Sequence, residues 1–101
     1  MKPSELRTLR QLAREHGISP AALEAAVDCD LFVPDAPTGE WRRVLRQMRR
    51  LMDDLGVNGP GAALLVRMAR DLELVEAEMD RLRQWQARRF ESWHEGYWRD
   101  L

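Results

Sequence analysis

Six glycines and five prolines punctuate the 101 residues, and nine of these eleven fall in three short clusters. Proline lacks a backbone donor and clashes with the preceding turn, and glycine loses more freedom on ordering than any other residue. Regular structure is therefore expected to stop and restart at Gly17–Pro20, Pro34–Gly39 and Gly56–Gly61. The four runs between and beyond these clusters carry apolar residues in steps of three and four, the period of a helix rather than of a strand. An all-α chain follows.

The first helix is expected from near Ser4 to near Gly17, with Leu6, Leu9, Leu12 and Ala13 inside and Arg7, Arg10 and Arg14 on other faces. Ser4 reads as its N-cap, His16 as a favourable group at its C-terminal end, and Gly17 as the left-handed residue that stops it. Ser19-Pro20 then supplies a cap and a first helical residue, so a second helix starts at once and runs to about Asp30. Leu23, Ala26 and Val27 form its inner face, and Leu31-Phe32-Val33 leads out. Residues 34–40 read as a loop. A third helix is expected from Trp41 to Leu55, with an apolar stripe at Trp41, Val44, Leu45, Met48, Leu51, Met52 and Leu55. Arg42, Arg43, Arg46, Arg49 and Arg50 lie outside that stripe, and Gly56 ends the helix. Pro60 opens a last, long helix to about residue 92.

That last helix carries Leu65, Met68, Leu72, Val75, Met79 and Leu82 in alternating steps of three and four, a coiled-coil seam of nearly three heptads. Gln86 and Arg89 occupy the next two seam positions, and the remainder is aromatic: Trp85, Phe90, Trp93, Tyr97 and Trp98. An isolated helix with one apolar seam is not stable in water. Part of the seam is expected against the third helix and the rest against a second copy, as a homodimer through residues 62–85. Residues 1–56 then form a helix-turn-helix-like domain, and residues 57–101 a dimerisation helix with an aromatic tail.

The residues with reactive side chains do not assemble into a catalytic or metal-binding pattern. His16 and His94 stand far apart without ligand-spaced partners, and the glycines of 56–61 are followed by no Lys-Ser or Lys-Thr. Cys29, the single cysteine, lies between Asp28 and Asp30, which do not favour a thiolate. A non-catalytic protein without metal or cofactor is expected. No signal peptide and no membrane-length apolar run is read, so a reducing, cytoplasmic setting is expected.

Net charge is −1, but residues 1–40 hold four basic and seven acidic side chains, and residues 41–101 twelve basic and ten acidic. Residues 20–30 contain no Lys, Arg, Asn or Gln, and they do contain Glu24, Asp28 and Asp30. A helix that reads DNA needs donors for base edges and cations for phosphates. The loop adds Asp35 and Glu40 and no cation. The arginines of the third helix could track phosphates, although a solvated face partly paired with Asp53, Asp54 and Glu40 accounts for them as well.

Helix, Gly-Ile-Ser turn, helix and Leu-Phe-x-Pro over residues 9–34 resemble the N-terminal half of a MerR-type winged-helix domain. The arginine-rich helix ending Asp-Leu-Gly-Val-Asn, then Pro-Gly-Ala-Ala-Leu and a coiled-coil helix, resembles the chaperone modulators of the CbpM family. The order of the turn, Leu31-Phe32-Val33-Pro34, Trp41 and Pro60-Gly61 fits that family over about residues 6–84. The stretch from Trp41 to the Leu-Gly break is about six residues shorter than the family pattern, so the wing is reduced, and the tail after 85 has no counterpart. The resemblance implies an adaptor that binds the J-domain of a DnaJ/CbpA-like co-chaperone and restrains its stimulation of DnaK. A J-domain presents a basic helix, which makes Glu24, Asp28, Asp30 and Asp35 candidate contacts, with Phe32 as a central anchor. A MerR-like DNA-binding regulator and a structural dimeric module are the alternatives. Packing of the tail on the dimer, a second partner site or a membrane surface are the possible uses of its aromatics.

Overall fold

The computed structural model describes residues 1–99, with side chains described through residue 92. The expectations for Trp93, Tyr97 and Trp98 concern side chains outside the described residues. Four helices are present and no strand among the described residues: α1 (Pro3–Glu15), α2 (Pro20–Asp28), α3 (Thr38–Leu55) and α4 (Gly59–Arg99). The chain forms two compact units, Met1–Ala69 and Arg70–Leu101. The first contains α1, α2, α3 and the opening turns of α4. The described residues of the second are the rest of α4.

The core of the first unit is built from one stripe of each helix. Leu9, Leu12 and Ala13 come from α1, Ala22, Leu23 and Ala26 from α2, Trp41, Val44, Leu45 and Met48 from α3, and Ala62, Ala63 and Val66 from α4. No polar or charged residue is buried among those described. Two helices end in the same way. In α1 the amide of Ile18 donates to Ala13 O at 2.8 Å and that of Gly17 to Arg14 O at 3.1 Å, with Gly17 at φ +68°. In α2 the amide of Leu31 donates to Ala26 O at 3.2 Å and that of Asp30 to Val27 O at 3.0 Å, with Asp30 at φ +56°. This is the Schellman pattern, and its hydrophobic residue after the left-handed position turns inward. Ile18 and Leu31 both enter the core.

Several boundaries differ from the sequence expectation. Ser4 does not cap α1. Lys2 takes the N-cap position, Pro3 starts the helix, and the Glu5 carboxylate accepts from Lys2 N at 3.1 Å. Proline has a pre-set φ and no amide to satisfy, which moves the cap two residues earlier. Ser19 does cap α2, accepting from Ala22 N at 3.2 Å. Residues 38–40 are not loop but the first turn of α3. Leu55 is exposed and lies outside the stripe, whereas Leu51 and Met52 are half-buried. The last helix starts at Gly59, where Asn58 Oδ1 accepts from Gly61 N at 2.7 Å.

Glu5 also reaches beyond its own helix. Its second oxygen accepts from the amide of Asp35 at 2.7 Å, holding the residue at φ +62° in the connection to α3. Those two amides, Asp35 first and Lys2 second, hold the Glu5 carboxyl below the usual carboxylate value. A lowered folded pKa stabilises the fold above the ordinary unfolded value and is lost as pH falls through the lowered one. Thermal melts are therefore expected to fall on acidification below about pH 4.5, the ordinary value for this group. Glu5→Gln is expected to flatten that part of the profile, with little change at neutral pH beyond the loss of the two charge-assisted bonds.

Candidate functional site

The Gly17–Ser19 turn fixes which face of α2 meets solvent. Burial of Ala22, Leu23 and Ala26 leaves Glu24 and Asp28, one helical turn apart, on the exposed side. The turn is braced from α3, where the Arg49 guanidinium donates to Gly17 O at 3.3 Å while pairing with Asp53 at 2.8 Å. The outer face of α2 is thus set by a Schellman end, a serine cap and an arginine brace, all of them outside the face itself.

The candidate carboxylates are not equivalent. Asp30 lies 3.8 Å from the Arg67 guanidinium, which also donates to Cys29 O at 2.7 Å. Asp35 lies 3.7 Å from the Lys2 ammonium. Glu24 and Asp28 make no ion pair with any described residue. Unneutralised negative potential on this side of the unit therefore comes first from Glu24 and Asp28. Phe32 is not on that surface. It is 5% exposed and packs in the core, because the Schellman end of α2 directs the chain inward at Leu31 and Trp41 holds the following residue. The indole Nε1 of Trp41 donates to Val33 O at 3.0 Å.

A shallow groove of about 520 Å³ runs along the exposed side of the α1–α2 pair. Leu6, Ala13, Ile18, Leu23 and Val27 line it, with Arg10 and Arg14 on the α1 rim and Glu24 on the α2 rim. Val27, expected in the core, is half-buried here. On α3, Arg42 pairs with Glu15 at 3.3 Å and Arg49 with Asp53, whereas Arg43, Arg46 and Arg50 are exposed and carry no ion pair among the described residues. Asp54 and Glu40, expected as partners, do not take part in these pairs.

The expected dimerisation residues are described unit by unit. In the first unit Leu65 is half-buried and Met68 exposed, and α4 meets the core through Ala62, Ala63 and Val66 instead. In the second, Leu72, Val75, Met79 and Leu82 are each about half exposed, between 46% and 58%.

Arg67 and Glu5 were not legible as parts of this surface. Arg67 acts on residues 37 and 38 positions earlier in the chain, and nothing local marks that contact. Glu5 follows Lys2-Pro3 at the spacing of a capping box, a signal that the Ser4 assignment obscured. Among the described residues no three His, Cys, Asp or Glu side chains gather where they could hold a metal ion, and no helix is long and apolar enough to cross a membrane. Comparison of the chain with protein-family models, curated proteins and solved structures finds no match.

Proposed function

We propose that this chain is a non-catalytic adaptor that binds the J-domain of a DnaJ/CbpA-like co-chaperone and restrains its stimulation of DnaK. The reading takes α1, the turn and α2 as a MerR-like helix-turn-helix with a reduced wing, followed by the arginine-rich α3 and the coiled-coil-like α4. The observation that carries it is the outer face of α2, where Glu24 and Asp28 stand exposed and form no ion pair among the described residues, with no cation between residues 20 and 30. That face repels a phosphate backbone, since charges within a Debye length of about 8 Å are felt at physiological salt. It suits a basic helix, for which complementary charge speeds encounter and fixes orientation. Asp30 and Asp35, already beside Arg67 and Lys2, are secondary contacts, and Phe32 supports the surface from within.

Reversing both charges with Glu24→Lys and Asp28→Lys is expected to weaken J-domain binding by about tenfold or more, read in a calorimetric titration. Both side chains are exposed, so the melting temperature is expected to stay close to that of the unaltered chain. Unchanged affinity in a folded double variant removes the assignment.

One observation favours a second reading. Arg43, Arg46 and Arg50 on α3 form no ion pair among the described residues, and duplex DNA could take them as phosphate contacts. That reading expects a mobility shift that fades steeply as salt rises, and it expects the Glu24/Asp28 reversal to strengthen binding rather than abolish it.

A further inference from the structure

The second unit is a single helical segment, and every residue from Asp71 to Ser92 is exposed. Leu72, Val75, Met79 and Leu82 lie on one stripe of it, in steps of three, four and three. Large apolar side chains at this density are not left in water by a helix that has no other element in its own unit to pack on. We propose that this stripe is covered by a second copy of the same chain, and that the two helices run parallel.

The charges beside the stripe decide both the occupant and the direction. With Leu72 and Met79 at a, and Val75 and Leu82 at d, the flanking g positions are Asp71, Glu78 and Trp85, and the e positions are Glu76, Arg83 and Phe90. In a parallel pair each g residue faces the e residue five positions on in the other chain. Glu78 then meets Arg83 of the second copy, and Trp85 meets Phe90 of the second copy, each twice by symmetry. The one unfavourable pairing is Asp71 with Glu76.

In the antiparallel pair that buries the same four residues, Leu72 meets Leu82 and Val75 meets Met79. The flanks then bring Glu76 against Glu76 and Glu78 against Glu78, and Arg83 finds no carboxylate. The parallel pairing alone turns the sequence's flanks into complementary contacts. The seam also has a defined end. Arg89 takes the d position after Leu82 and lays its guanidinium 4.9 Å from the centre of the Trp85 ring in its own chain. The apolar stripe thereby passes from aliphatic to aromatic before it closes.

The test uses the full chain. Light scattering at tens of micromolar is expected to give the mass of two chains. Gln86 occupies the a position after Met79 and lies next to its own copy only in a parallel pair. In a Cys29→Ser background, Gln86→Cys is expected to form an intermolecular disulfide nearly quantitatively under mild oxidation. Glu78→Arg places it opposite Arg83 and is expected to raise the dimer dissociation constant by about tenfold. Adding Arg83→Glu is expected to restore it, which loss of the intrachain Glu78–Arg81 pair could not explain. A monomeric mass overturns the second copy as occupant and leaves the stripe to another partner. A dimer without the Gln86→Cys cross-link overturns the parallel direction, as does failure of the double charge swap to rescue. None of these outcomes depends on J-domain binding.

Discussion

Trp41→Ala is expected to leave residues 1–69 without a stable fold at ambient temperature. Trp41 is 3% exposed, in the core that joins α3 to α1 and α2. Truncating a buried tryptophan costs about 3–5 kcal/mol through lost transfer energy and the cavity left behind. A unit this small has a stability near the lower end of the usual range of about 5–15 kcal/mol. The indole also ties the Leu31–Val33 segment to α3, donating to Val33 O. Trp41→Phe separates the two contributions, because it keeps most of the packing and loses the hydrogen bond, for an expected cost of about 1 kcal/mol from the bond. Urea unfolding followed by far-ultraviolet circular dichroism measures both. If Trp41→Ala cost less than Trp41→Phe, the packing described for α3 would be wrong.

Gly59→Ala is expected to destabilise the same unit by about 2–3 kcal/mol, the upper part of the range for overpacking. Alanine is ordinarily the better helix residue of the two. Here the sign reverses, because a Cβ on Gly59 would overlap the Cβ of Ala22, with the α2 backbone directly behind it. Gly59 is buried at the first turn of α4, and the missing side chain is what lets that turn lie against α2. Ala22→Gly in the Gly59→Ala background removes the overlap and is expected to recover much of the loss. A double-mutant cycle then gives a coupling above about 1 kcal/mol. Simple additivity of the two changes would mean that the α2–α4 contact is looser than described.

These two residues also show where the sequence was legible and where it was not. The Gly17–Pro20 turn could be read because its requirements are local: a left-handed residue, a hydroxyl cap and a proline with a free first position. The core stripe of α3 could be read because one period carries it from Trp41 to Met48. The close approach at Gly59 could not be read, since a glycine beside a proline looks like a break whether or not another helix lies against it. Asp30 shows a similar limit. It adopts the left-handed conformation that Gly17 adopts in α1, but an aspartate does not announce that role. The candidate surface was legible in its charge and not in its pairing. Glu24, Asp28, Asp30 and Asp35 all appear as carboxylates in the sequence, and only the fold brings Arg67 to Asp30 and Lys2 to Asp35. Phe32 as a central anchor follows only from the resemblance to a J-domain binder; an apolar residue after a helix end fits the core equally well, and the Schellman end of α2 turns the chain inward there.

The adaptor reading rests on a face of α2 whose two carboxylates, Glu24 and Asp28, are exposed and form no ion pair among the described residues. Calorimetric titration of the full chain with the purified J-domain of a CbpA-like co-chaperone, repeated from low to physiological salt, tests it most directly. Saturable binding that weakens as salt rises and is lost on reversal of Glu24 and Asp28 is the expected result. Absence of saturable binding at low salt, where complementary charges act most strongly, would contradict it.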